Sequence, residues 1–248
     1  MADNRFSDIG FEDFRRMAHD DSLSRYERIG FPDLYRKGHE AEIFDDIRTK
    51  LTLLEEPGRS VLDIGPGCSE LPEMLIQLSR DKAHNLWLID SEEMLAQLPE
   101  GPGINKIAAM YPYCPEFLSE HQGNIDVILC YSVVHYIFAE AGFFKFLDES
   151  LALLSPEGQL LIGDIPNVSK RKRFFASDTG RRFHREYMGT DEDPVVEFNT
   201  IERDKLDDSV IFAVLQRARQ AGFDAYVLPQ NPRLPMANRR EDILISRP

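Results

Sequence analysis

A chain of 248 residues is long enough to bury a full core as one large α/β domain. Its 43 acidic and 29 basic residues leave a formal charge of −14, a field that repels phosphate backbones and tells against general nucleic-acid binding. With 42% hydrophobic and 29% charged residues the composition is that of an ordinary globular protein, and no apolar run is long enough to span a bilayer. The opening Met1-Ala2-Asp3-Asn4-Arg5 does not read as a secretory signal. Cys68, Cys114 and Cys130 form no Cys-x-x-Cys pair, which suits free thiols in a reducing compartment, so a cytoplasmic location is expected.

Residues 1–55 carry helical patterns studded with Phe6, Phe11, Phe14, Tyr26, Phe31, Tyr35 and Phe44, and are expected to form an N-terminal helical cap or lid. From residue 56 to 248 strands and helices alternate. Strands are expected at Ser60–Gly65, Asn85–Asp90, Asn105–Ala109, Ile125–Ser132, Gln159–Asp164, Asp224–Pro229 and Asp242–Ser246. The first, second, fourth and fifth are nearly continuous apolar runs, the mark of strands covered on both faces. Between them Ser69–Ser79, Phe143–Leu154 and Asp208–Ala221 repeat apolar residues at spacings of three and four, as amphipathic helices do. Residues 165–206 form a long polar insertion after the fifth strand, and insertions of that length tend to serve as lids or binding elements. Only Gln230–Glu241 separates the last two strands, with Pro232 and Pro235 and no helical period, which favours an antiparallel return. The expected fold is therefore α/β: a doubly wound, mostly parallel seven-stranded sheet, an antiparallel last strand and helices on both faces.

The segment Val61-Leu62-Asp63-Ile64-Gly65-Pro66-Gly67 is a buried strand that ends in a carboxylate and then Gly-x-Gly, with a helix following. Such a loop lets the backbone approach a nucleoside ligand. A dinucleotide would want a third glycine where Glu70 stands, and a carboxylate there repels a pyrophosphate. Asp90, 23 residues beyond Gly67 at the end of the second strand, suits the two ribose hydroxyls; its competing role is a helix cap.

These residues resemble the first motif of the class I S-adenosylmethionine (SAM)-dependent methyltransferases, with Ser69 in place of the last glycine. The similarity covers residues 58–165 well and 207–248 loosely. It implies SAM as cofactor, with Asp63 recognising the amino end of the methionine moiety, Gly65, Pro66, Gly67 and Cys68 lining its tail, Asp90 holding the ribose, Met94 near the adenine, and Ser91 also among the cofactor-binding residues. Ala108-Ala109-Met110-Tyr111 lacks the acidic residue that often follows the third strand in this family. Asp126–Tyr136 resembles the family's fourth strand and turn, which brings Cys130 and Tyr131 to the cofactor.

Methyl transfer is a direct displacement whose main demand is alignment, and a base is needed only for a protonated nucleophile. His135 is the candidate base, with Tyr131 and Asp164 as further catalytic candidates. Arg171, Arg173, His184, Arg239 and Arg240 lie in basic islands that could grip an anionic acceptor such as a sugar nucleotide or sugar acid. No His/Cys cluster suggests a metal. The function read from the sequence is methyl transfer to an O or N of a small, anionic acceptor, without nucleic-acid or membrane partners and with the oligomeric state open, a homodimer included. The alternatives are a non-catalytic methyltransferase-like binding protein and, less well supported, an NAD-dependent oxidoreductase.

Overall fold

The computed structural model describes residues 9–248, so the first eight residues of the expected N-terminal cap, Phe6 among them, lie outside the described residues. Seven strands form one sheet: β1 (Ser60–Ile64), β2 (Asn85–Asp90), β3 (Ile104–Ala108), β4 (Ile125–Tyr131), β5 (Leu154–Ile165), β6 (Asp224–Pro229) and β7 (Glu241–Ser246). Their order is β3-β2-β1-β4-β5-β7-β6, and β7 alone runs antiparallel to both its neighbours, as expected for the last strand.

Alternation along the strands divides the core in two. Leu62, Ile64, Ile128, Cys130, Leu160 and Ile162 face a layer that contains α6 (Pro115–Glu120), α7 (Val134–Glu140), α8 (Phe143–Leu153) and α11 (Asp208–Gln220). Val61, Leu86, Leu88, Val127, Leu129 and Leu161 face the opposite layer, built on α3 (Glu40–Lys50) and α4 (Glu70–Asp81). Every one of these strand side chains is at most 2% exposed. That is why the strands read as unbroken apolar runs.

The structure departs from the expected elements in three places. β5 starts at Leu154, which pairs with Ile125; the Ser155-Pro156-Glu157-Gly158 stop is absorbed as an irregularity before Gln159 pairs with Val127. The polar insertion holds two helices, α9 (Val168–Ala176) and α10 (Asp178–Met188). Local chemistry starts both: the Asn167 side chain accepts from Ser169 and Lys170 N–H, and Ser177 Oγ from Gly180 N–H. Residues 9–55 carry α1 (Phe11–Ala18), the short α2 (Asp33–Arg36) and α3, the last belonging to the second core. The remaining helix, α5 (Glu92–Leu95), follows β2. Among the described residues no helix is long and apolar enough to cross a membrane.

Candidate active site

Connections from β1 run outward through β2 and β3, while β4 and β5 lie on its other side; the carboxyl ends of strands at such a switch open a crevice for ligands. A cleft of about 910 Å³, mouth included, occupies this position. Ile64–Gly67 and Asp90 form its strand-tip side, Ala109–Tyr111 and Tyr131–Val133 its flanks, and Phe11, Phe14, Ile29 and Phe31 an apolar wall from the N-terminal segment.

Gly65 and Gly67 both have φ +67°, a conformation that costs any other residue strain. A Cβ on Gly65 would stand 2.7 Å from Val133 Cγ2, and one on Gly67 2.7 Å from Ile29 Cγ2. The glycines therefore let the loop pass between the end of β4 and the N-terminal wall. Asp90 straps this loop, accepting from Gly67 N–H at 2.9 Å and from Ser91 N–H at 2.6 Å. The α5 cap is Ser91, whose Oγ accepts from Met94 N–H, so Asp90 is not the helix cap. Burial raises the Asp90 carboxyl to about 6 despite these donors. Asp63, at the end of β1, is pushed to about 8, first by burial and then by the Asp90 charge.

Of the residues expected around the cofactor, Gly65, Pro66, Gly67, Asp90, Met94 and Tyr131 line the cleft. Asp63 lies behind the loop at 4% exposure. Cys68 packs with Met94 and Ala18 against Phe14 and Ile29 rather than lining the cleft. Cys130 points into the other core, and burial pushes its thiol far above the usual range. All three cysteines are free and buried.

The expected catalytic set is rearranged. His135 does not line the cleft; Tyr136, the next residue along α7, does, because consecutive helical side chains point about 100° apart. His135 is half-buried, its Nδ1 has no partner among the described residues, and burial aided by the Arg240 charge pushes it down to about 3. It is neutral at physiological pH and too weak a base for the role expected of it. Burial also holds the Tyr131 hydroxyl protonated, and the Gln230 amide donates to it at 3.4 Å. Asp164 is the hub of a buried network: Oδ2 accepts from Ser132 Oγ at 2.5 Å and Arg240 at 3.0 Å, and Oδ1 from Gln230 at 3.2 Å. Burial alone would raise its pKa, but Arg240 and Arg36 outweigh burial and keep it an ionised anchor rather than a proton acceptor. Both Asp164 (φ +57°) and Ser132 (φ +63°) sit in the left-handed region, which the network between the ends of β4 and β5 sustains.

The basic islands do not assemble at the cleft. Arg171 pairs with Glu202 at 2.8 Å and Arg173 with Asp208 at 2.5 Å, both on the surface. His184 meets the edge of Phe175, and Arg239 stands over Tyr35 and Phe183. Only Arg240 reaches the network at the strand ends, and it is spent on Asp164. In a chain with 43 acids, each island finds nearer carboxylates than a ligand rim would supply.

The cation that does line the cleft is Arg36, 3% exposed. Its Nη2 donates to Ser132 Oγ and lies 3.5 Å from Asp164 Oδ2, while its guanidinium stands 4.2 Å from the centre of the Phe31 ring. These polar partners are 96 and 128 residues away, so no local pattern marks this arginine among its neighbours. Glu40 occupies the start of α4, taking hydrogen bonds from Ser69 Oγ at 3.1 Å and from the Leu71 backbone. Glu70 is held by Tyr26 at 3.0 Å and Arg25 at 3.4 Å.

No protein-family model matches the chain, and no curated protein matches it. Solved structures share its architecture at low identity. The plantazolicin methyltransferase BpumL, solved with SAH, superimposes with a TM-score of 0.57 at 15% identity over 96% of each chain. A SAM-dependent methyltransferase from Aquifex aeolicus gives 0.51 at 15% identity, covering 85% of this chain and 93% of its own. The CurJ carbon methyltransferase gives 0.54 at 17% identity, over 86% of this chain and 56% of its own. With its strand order and its single antiparallel strand, the chain has the Rossmann-like fold of the SAM-dependent methyltransferases.

Proposed function

We propose that the protein is a SAM-dependent methyltransferase that acts by direct displacement on an O or N atom of a small molecule. The carrying observation is the pair of carboxyls at the Gly65–Gly67 loop, Asp63 buried behind it and Asp90 strapped to Gly67 N–H at 2.9 Å on the cleft side. Such a pair is costly to ionise alone and favours a ligand that brings positive charge, as a sulfonium with an α-ammonium does. Asp90 lines the cleft and keeps lone pairs for ribose hydroxyls beyond its two backbone bonds. Against a dinucleotide stands Glu40, whose carboxylate already holds the start of α4, where a pyrophosphate would bind.

The N-terminal segment acts as a lid over this site. Its phenylalanines exclude water and favour an acceptor with an apolar, planar face, whereas the basic islands support anion recognition less well. None of His135, Tyr131 and Asp164 is a free base, so alignment of acceptor and methyl carries the reaction, and a nucleophile that arrives unprotonated suits it best. Three buried free thiols support a cytoplasmic setting.

Calorimetric titration with SAM, SAH and NAD tests the reading. SAM and SAH should bind with release of up to about one proton at pH 7, as Asp63 ionises beside the ligand's positive charge. NAD should not bind. Failure of both sulfur nucleosides to bind would remove the proposal.

A further inference from the structure

The side-chain donors on the cleft wall have partners within the protein, with one exception. Arg36 is bound to Ser132 and Asp164, and Ser132 to Asp164. Ser69 is bound to Glu40 at 3.1 Å, Tyr111 to Ser150 at 3.0 Å and Tyr131 to Gln230 at 3.4 Å. Tyr136 lines the same cleft, and among the described residues its hydroxyl has no hydrogen-bond partner. Burial raises this phenol to about 12, so at physiological pH it keeps its proton and can donate it in a hydrogen bond.

The surroundings fix where that donor stands and what it can meet. Phe14 packs edge-on against the Tyr136 ring at 4.9 Å, and the neutral His135 ring lies against it at 3.9 Å. The N-terminal wall passes close to the hydroxyl at Gly30, where a Cβ would stand 3.2 Å from the oxygen. Around it the wall is apolar, with Phe11, Phe14, Phe31 and Ile137. Desolvating a charged ligand against such a wall is unfavourable. Arg36 is already spent on Asp164, and Glu140, which holds Phe11 N–H at 2.9 Å, adds a carboxylate that repels an anion. A volume of about 910 Å³ is near the top of the range for small-molecule sites, roughly 300–1,000 Å³, which leaves room for a second ligand beside a nucleoside.

We propose that Tyr136 selects the methyl acceptor, a neutral, planar heteroaromatic molecule, by donating a hydrogen bond to one of its heteroatoms while a second ring nitrogen is the nucleophile. This inference rests on the methyltransferase reading above and deepens it by naming the acceptor class. A neutral ring nitrogen attacks the methyl carbon with its own lone pair. The carbon–sulfur bond breaks with its electrons going to sulfur, and the positive charge passes from the sulfonium to the ring. No proton has to leave, which agrees with a cleft in which no side chain is a free base. The phenylalanines bury the faces of the ring, and the single hydroxyl sets which edge turns towards the methyl group.

The test uses three planar probes of one shape: quinoxaline, which is neutral with two ring nitrogens; naphthalene, which has none; and 2-naphthoate, an anion. The full chain, saturated with SAH, is titrated into each probe while the probe's proton resonances are followed. Quinoxaline should bind roughly 5- to 10-fold more tightly than naphthalene, and 2-naphthoate more weakly than quinoxaline. Tyr136→Phe removes only the hydroxyl and keeps the ring against Phe14 and His135. It should erase the preference for quinoxaline, leave naphthalene as it was and leave SAH affinity unchanged. A melting curve checks that the variant folds. If the wild type does not bind quinoxaline, binds it no better than naphthalene or prefers 2-naphthoate, the acceptor assignment is wrong while SAH binding keeps the cofactor reading. A preference that survives in Tyr136→Phe removes Tyr136 from the selection. If SAH itself does not bind, the cofactor reading fails first.

Discussion

Two segments lie outside the repeating α/β pattern, and their sequences look alike: residues 10–36 and residues 168–206 both mix aromatics with arginines. The first forms a wall of the cleft. Its polar groups bind the body of the domain around that cleft: Phe11 N–H donates to Glu140 at 2.9 Å, Arg15 grips Glu93 at 2.8 Å, and Arg28 meets Gln97 at 3.2 Å. The second segment pairs arginines with itself and with the start of α11, through Arg171–Glu202, Arg173–Asp208 and Arg185–Asp193, while Lys170 donates to the Arg240 carbonyl at 2.5 Å. It touches the first through Tyr187 and Tyr35, whose hydroxyls are 3.1 Å apart. Aromatic and basic composition does not decide which segment serves a site; the location of the complementary carboxylates does.

The difference can be broken most sharply at the strand-tip residue that the first segment covers. Asp90→Ala should reduce SAH affinity about 100-fold, by loss of charge-assisted bonds to the ribose, while the protein still folds; calorimetry and a melting curve read both. On the wall itself, Phe14 packs against Cys68 and Met94 and meets Tyr136 edge-on at 4.9 Å. Phe14→Ala should cost about 2–3 kcal/mol in urea unfolding and weaken SAH by about tenfold. Full stability with unchanged affinity would show that the wall is incidental.

Gly67→Ala tests the seam between wall and loop. It should destabilise by about 1–2 kcal/mol through its positive φ alone, with an added contribution from Ile29. The double variant with Ile29→Ala should show coupling, since only the contact part is relieved.

Ionisation sharpens the same contrast. The folded-state pKa values of Asp90, about 6, and Asp63, about 8, lie above their unfolded values. Their contribution to stability is therefore full below about pH 4 and is lost as pH rises through 6 and 8. The melting temperature of the cofactor-free protein should fall by on the order of 10 °C between pH 5 and 9 on this account, at roughly 2–4 °C for each kcal/mol, and SAH should reduce the fall. A profile unchanged in Asp63→Asn would remove Asp63 from it. The smallest effect belongs to the insertion. Arg173→Ala breaks a surface pair, should change stability by less than about 1 kcal/mol, and should leave SAH affinity as it was.

The sequence by itself determined the order of the strands along the chain and the glycine loop, though not the early start of β5 or the helices α9 and α10. β2 and β6 run over the residues expected, because an apolar run bounded by turn residues leaves few other ends. The positions of Gly65, Gly67 and Asp90 at the cleft, with Asp63 behind the loop, were legible for a similar reason: they are set by backbone within a strand–turn–helix unit and by one neighbouring strand. The antiparallel β7 followed from a connection too short and too rich in proline for a helical crossover. Tertiary structure decided the rest. Whether His135 or Tyr136 enters the cleft depends on how α7 is rotated against the sheet, which local periodicity leaves open. Arg36 became part of the site through Ser132 and Asp164, and the basic islands were drawn away by Glu202 and Asp208. A charged side chain takes its role from the partner that folding brings within a few ångströms, and Coulomb attraction does not follow distance along the chain.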